Sequence, residues 1–276
     1  MKILKYFAIA LFAMTMVACG DDEPNSTYTR DFNMIYPVLP AGHKFISKIE
    51  QTSDKASIVA TADYDGDHLK KIKVVTKYED GTKNEENIHF DYTNGAIICD
   101  RSIQDITYAI EVNSMGAITR LKNVISGGTS AALQYNYDNE LELAQLSNSS
   151  MASTTKVAWQ GGNLMQWENY GTNMKDSVVY EYGDGAPLNK GGIDVVGNDS
   201  FAFTKFVCAI MRNAGFFGVT SAYLPTVIKK DRNYSEDGMT VDLKRYNITY
   251  ELDGEGYVKS YTTNEVPKYT VKITYK

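Results

Sequence analysis

The chain has 276 residues, 28 of them Lys or Arg and 34 Asp or Glu, for a formal charge of −6 at pH 7. An acidic balance with no dense basic run excludes the electrostatic footprint of a nucleic-acid binder or of a protein that reads anionic lipid. Tyrosine is abundant, at 20 residues, and proline scarce, at 6, which favours pleated strands.

The first element is a targeting segment. Lys2 and Lys5 form a positive n-region, and Tyr6 to Val17 an apolar run too short to cross a bilayer, which takes roughly 20 residues. Ala18 supplies the small residue before a cleavage point, and Cys19 follows it. Cysteine in that place resembles the lipobox of bacterial lipoproteins, which implies acylation of the Cys19 thiol, palmitate included. Two or three acyl chains anchor stably where one does not. The domain organisation expected is therefore a signal peptide over 1–18, a lipidated tether and lead-in segment over 19–39, and a single β-meander domain over 40–276. Gly20 stands where an inner-membrane retention aspartate would, and Asp21-Asp22-Glu23 resembles the surface-export signal of Bacteroidetes lipoproteins. Outer membrane, lipid-anchored and at the cell surface is the location expected, with the periplasmic face as the alternative.

Downstream, one unit recurs every 20–25 residues or so: a strand ending in an aromatic or apolar residue, a short Gly/Asn/Asp turn, and a second apolar strand. Its copies occupy 62–72 (ADYDGDHLKKI), 90–98, 111–121, 135–143, 158–167, 180–188 and 250–258. Asp-Gly, Asn-Gly and Gly-Gly accept the positive φ of tight hairpins. The flanking strands alternate: Ile72, Val74, Thr76 and Tyr78 share one face, and Lys71, Lys73 and Lys77 the other. Ile88, Phe90 and Tyr92 repeat the pattern, as do Val178, Tyr180 and Tyr182, and then Tyr269, Val271, Ile273 and Tyr275. The class is mainly β. About 12–14 antiparallel strands are expected, too many to stay flat, curling into a porin-like or partly open barrel.

The segment near 200–214 breaks that period. Asn198-Asp199-Ser200 offer N-cap residues, and Phe203, Phe206, Val207, Ile210, Met211 and Ala214 make a helical stripe stopped by Gly215. This helix is expected to plug or cap the concave face of the sheet. The tyrosine-rich hairpins, the run Tyr182-Gly-Asp-Gly-Ala-Pro-Leu188, the helix, Asn213-Ala-Gly-Phe-Phe-Gly218 and Ser221-Ala-Tyr-Leu-Pro225 follow in that order. Together they resemble a Bacteroidetes family of secreted proteins and lipoproteins of unknown function with a porin-like fold. The resemblance implies a curled β-meander and brings no catalytic residues.

Chemistry-bearing motifs are sparse. His43, His68 and His89 have no partner at metal-ligand spacing, and no nucleophile elbow, Walker loop or dinucleotide fingerprint occurs. Asp63, Asp65 and Asp67 lack the glycine and carboxylate that an EF-hand needs at its sixth and twelfth positions, so a hairpin turn explains them. No cofactor, no metal and no catalysis is expected. Cys99 and Cys208 sit in apolar contexts that favour buried free thiols over a disulfide. Asp176-Ser177-Val178 resembles the Bacteroidetes O-glycosylation sequon.

Trp159 and Trp167, either side of Gly161-Gly162, are the candidate aromatic ligand contacts. A two-residue loop puts them on opposite faces, whereas a three-residue loop gathers Val157, Trp159, Met165 and Trp167 into a core cluster. The function expected is a non-catalytic binding or interaction module for a glycan or partner protein, joined to membrane through its lipid alone. Carriage of an apolar ligand in the cup of the sheet is the alternative. A membrane-spanning barrel is opposed by Lys71, Lys73, Lys77 and the Glu140/Glu142 alternation.

Overall fold

The computed structural model describes residues 42–92, 97–102, 106–125, 128–148, 153–171, 174–193, 203–234, 240–264 and 268–276. The signal peptide, Cys19, the tether and Asn198 to Ser200 lie outside the described residues. Sixteen strands form: β1 (Ile46–Ser53), β2 (Ala56–Asp65), β3 (His68–Tyr78), β4 (Lys83–Asp91), β5 (Ile97–Arg101), β6 (Ile106–Val112), β7 (Ile118–Ile125) and β8 (Gly128–Tyr137) come first. β9 (Leu143–Asn148), β10 (Ser153–Gln160), β11 (Asn163–Tyr170), β12 (Met174–Glu181), β13 (Val227–Tyr234), β14 (Thr240–Leu252), β15 (Val258–Thr263) and β16 (Tyr269–Tyr275) complete the wall. Each pairs antiparallel with its neighbours in sequence, and β1 pairs with β16 in the register Ile49↔Ile273, so the barrel is closed. The strand count exceeds the 12–14 expected, and closure removes the edges an open sheet would leave.

The two-residue period sorts the wall as anticipated. Ile72, Ile88, Phe90, Cys99, Val271 and Ile273 are buried inside. Outside, ion pairs join neighbouring strands, among them Lys73–Glu85 at 2.7 Å, Lys175–Glu168 at 2.6 Å, Lys122–Glu111 and Lys229–Glu181.

A wall of sixteen strands is wide enough to leave a channel in a porin. Here the described part of the segment between β12 and β13, residues 203–217 above all, packs into the interior. Its helix, α1 (Lys205–Asn213), is buried at every residue from Phe206 to Asn213. A stripe facing a sheet would leave the opposite side wet; burial all round means the helix is inside the barrel. Its start lacks a side-chain cap, Thr204 standing at the N-cap. At its end Gly215, with φ 85°, turns the chain left-handed. Its N–H donates to Arg212 O at 2.8 Å and that of Phe216 to Met211 O at 3.0 Å, the Schellman arrangement. The hairpin expected at 180–188 does not form. The turn leads into the plug, and Leu188 bridges to Tyr223.

The ends of β2, β4, β6, β8, β10, β12, β14 and β16 and the starts of the strands that follow them lie at one end of the barrel, called here the turn rim; the opposite strand ends mark the loop rim. At the turn rim six of the even-numbered strands carry near their end an inward aromatic that donates to a carbonyl at or just before the start of the strand before it. Tyr64 reaches Ile46 O at 3.0 Å, Tyr92 Leu69 O at 2.9 Å, Tyr137 Ile118 O at 2.9 Å and Trp159 Leu143 O at 3.0 Å. Tyr182 reaches Leu164 O at 2.8 Å, and Tyr250 reaches Pro225 O at 2.7 Å. A buried hydroxyl or indole N–H must find an acceptor. The strand-terminal aromatics of the sequence repeat are the groups that do so. Burial pushes the Tyr64, Tyr92, Tyr137 and Tyr250 phenols far above their usual range, so they remain donors.

Three turn-rim hairpins share one construction. Asn113, Asp138 and Asp253 each accept with Oδ1 from the N–H two and four residues on, at 2.9 to 3.0 Å. The fourth residue of each turn is left-handed: Gly116, Leu141 and Gly256. Leucine in that conformation costs about 1–2 kcal/mol. The plug holds it there, with Val219 N–H donating to Leu141 O at 3.1 Å.

Candidate functional site on the barrel wall

The interior is a continuous apolar core into which the plug is built. Phe216 packs on Phe90 with ring centroids 5.8 Å apart, and Phe217 on Tyr135 at the same distance. Asn213, 1% exposed, fastens the plug to the turn rim. Its Oδ1 accepts from Ile46 N–H at 2.7 Å, and its Nδ2 donates to Gly191 O at 2.7 Å and Lys44 O at 3.1 Å. Its own carbonyl accepts from His43 Nε2 at 2.9 Å, and burial lowers the His43 pKa. Near the loop rim the Arg101 Nε donates to Glu86 Oε1 at 2.7 Å inside the wall, and the guanidinium stands 5.4 Å from the Phe203 ring centre.

The sequence-predicted residues fall mostly inside. Trp167 is 2% exposed, and Trp159 is half-buried with its indole N–H donated to Leu143 O. The loop between them is the two-residue Gly161-Gly162 turn, at φ 57° and 72°. The tryptophans nevertheless share a face, because a bulge shifts the register between Val157↔Trp167 and Trp159↔Leu164. Leu164 therefore takes the place in the cluster expected for Met165. Trp167 is thus enclosed in the core, and Trp159 packs against it with part of its surface exposed. Cys99 and Cys208 are free and buried, and burial drives the Cys99 thiol up to about 12. His89 is exposed, and His68 half-buried with its ring 5.1 Å from that of Tyr92. Among the described residues no three His, Cys, Asp or Glu side chains converge on a metal site.

Among the described residues two grooves lie on the outside of the wall. One groove, of about 590 Å³, crosses β3 to β6 and is lined by Lys71, Lys73, Glu85, His89, Asp100 and Thr107. Several of its charges are already engaged: Lys73 and Lys83 hold the Glu85 carboxyl down to about 2, and Asp100 accepts from Thr107 at 2.6 Å. The second, of about 510 Å³, crosses β1, β16, β15 and β14 near the loop rim. Hydroxyl and amide side chains dominate it, including Thr52, Thr249, Thr262, Thr270, Asn247 and Asn264. Sequence spacing shows none of this, since the lining residues lie about two hundred positions apart and only barrel closure joins them.

Comparison with known proteins bears on the fold. A porin-like protein from Bacteroides uniformis ATCC 8492, known from its crystal structure, superposes with a TM-score of 0.65 at 16% identity, over 88% of this chain and 99% of that one. Another from Bacteroides vulgatus ATCC 8482 gives 0.52 at 13%, over 84% and 99%. No protein-family model matches the sequence, and no curated protein matches it either. The closed antiparallel barrel is thus the porin-like fold of these Bacteroides proteins.

Proposed function

We propose that the chain is a lipoprotein of the bacterial outer membrane, anchored through Cys19 and displayed at the surface, whose barrel wall binds a glycan or a partner protein without catalysis. The polarity of the barrel carries this reading. A lipid-spanning barrel turns apolar residues outward, and a charge at mid-membrane costs about 2–4 kcal/mol. This wall turns Lys73, Glu85, Lys122, Glu168 and Lys175 outward and its apolar residues inward. The filled core likewise disfavours the alternative, carriage of an apolar ligand, because the plug side chains occupy the cup.

Four experiments test the reading. Cys19→Ala should abolish radioactive palmitate incorporation; labelled alanine variant would refute the anchor. Alanines at Asp21-Asp22-Glu23 should keep the lipid yet protect the protein from protease shaving of intact cells. The chain from residue 24 onward should be soluble without detergent and conduct no ions in a planar bilayer. A glycan array and a pull-down from envelope extract should between them yield a ligand, and silence in both would overturn the binding role.

A further inference from the structure

We propose that the groove over β1, β16, β15 and β14 is a binding site for a neutral oligosaccharide lying across the strands. The pairing register places five hydroxyl side chains in one row: Ser57 faces Thr52, Thr52 faces Thr270, Thr270 faces Thr262, and Thr262 faces Thr249. All five point outward, because Ile58, Ile248, Val271 and Tyr261 take the alternate inward positions. Neighbouring strands are about 4.8 Å apart, so the row repeats at that pitch. An extended chain of pyranose rings presents hydroxyls at a similar repeat.

Two contrasts single the row out. The first is commitment: nearby wall hydroxyls are engaged, Thr107 of the other groove with Asp100 at 2.6 Å and Ser260 of the adjacent row with Glu251 at 2.9 Å. The side-chain hydroxyls of the row form no hydrogen bond with any described residue, leaving each able to donate and accept. The second is charge, since the next row toward the turn rim reads Glu50, Lys272, Ser260 and Glu251, whereas this one carries none. Asp54 and Lys268, of opposite sign, stand at the loop-rim edge of the groove with Tyr269. Asn264 is held in place, its Oδ1 accepting from Asn247 N–H at 2.7 Å. Uncharged groups that both donate and accept match ligand hydroxyls; a phosphate or carboxylate would find no cationic cluster here.

This inference rests on the wall being the functional surface and names its ligand class. The test uses the mature protein purified from cells, with glycan-array screening and calorimetry against hexasaccharides of β-1,4-glucan, β-1,3-glucan, xylan and mannan. At least one neutral chain should bind. The double variant Thr262→Val/Thr270→Val keeps shape and β-branching while removing two hydroxyls, and should weaken binding about tenfold or more. Thr249→Arg should block the row, and Thr107→Val, in the other groove, should leave affinity unchanged. Circular dichroism confirms that the variants are folded. The inference fails if only charged glycans bind, or if the double variant binds as tightly as the parent. If no glycan binds but a protein partner is captured, the groove assignment falls and the wider binding role stands; if nothing binds, both fall.

Discussion

At the turn rim, six half-buried aromatic groups are tied to backbone carbonyls and the plug is fastened through Asn213. At the loop rim the tyrosines behave differently: Tyr78 is 44% exposed, and Tyr170 donates to a surface carboxylate, Glu168, at 2.8 Å. The plug is held there by side-chain contacts, Lys205 Nζ to Gln51 Oε1 at 2.7 Å and Phe203 against Arg101 and Tyr108 among them. The turn rim is therefore tied by neutral hydrogen bonds from aromatic and amide groups, whereas the loop rim relies on charged side chains, the part-buried Lys205 and the buried Arg101–Glu86 pair among them. A barrel stiffened at one end leaves the other free to carry the hydroxyl groove.

Urea unfolding of paired variants tests that contrast directly. Asn213→Ala strands the Ile46 N–H and the Gly191 and Lys44 carbonyls in the core, and should cost about 3 kcal/mol, whereas Lys205→Met at the other end should cost about 1 kcal/mol or less. Equal losses would erase the distinction between the rims. Gly218→Ala comes next: at φ 72° an added Cβ would sit 2.4 Å from Leu141 O, so plug or hairpin must shift. A loss of about 2 kcal/mol is expected.

Smaller steps come from the aromatics. Tyr64→Phe, Tyr137→Phe and Tyr250→Phe should each cost about 1 kcal/mol and add, being remote from one another, while Tyr78→Phe should stay within about 0.5 kcal/mol. The smallest effect is acid sensitivity of the wall. The Glu85 pKa is depressed in the fold from 4.5 to about 2, chiefly by its hydrogen bond to Lys73 and next by that to Lys83. A depressed carboxyl stabilises the fold above its unfolded pKa, and that contribution fades as pH falls from about 4.5 toward 2. Glu85→Gln should flatten the stability profile in that window, while Tyr64→Phe should leave its slope unchanged.

Much of this fold is legible in the sequence. The 20–25-residue unit is the stitched hairpin: Tyr64 and Ile46 are separated by 18 positions, Tyr92 and Leu69 by 23. Gly215 ends the helix where its left-handed turn is needed. What escapes is set by pairing rather than by local pattern. β5 has five residues and β9 six, too short for alternation to stand out, so the strand count comes up low. The bulge beside Leu164 reverses parity within one hairpin, which periodicity alone does not register. Leu141 does the work of a glycine without being one. The candidate site is the least legible part, because Thr52 and Thr249 become neighbours on one face only through β16 and β15.

The position of the plug in the chain also has a bearing on assembly. It is encoded after twelve strands and before the last four, so in an N-to-C emerging chain the contents of the barrel precede the staves that complete it. The final seam, β1 to β16, joins residues as far apart as Ile49 and Ile273, a pairing whose loop entropy makes it late. The wall is thus shut around material already delivered.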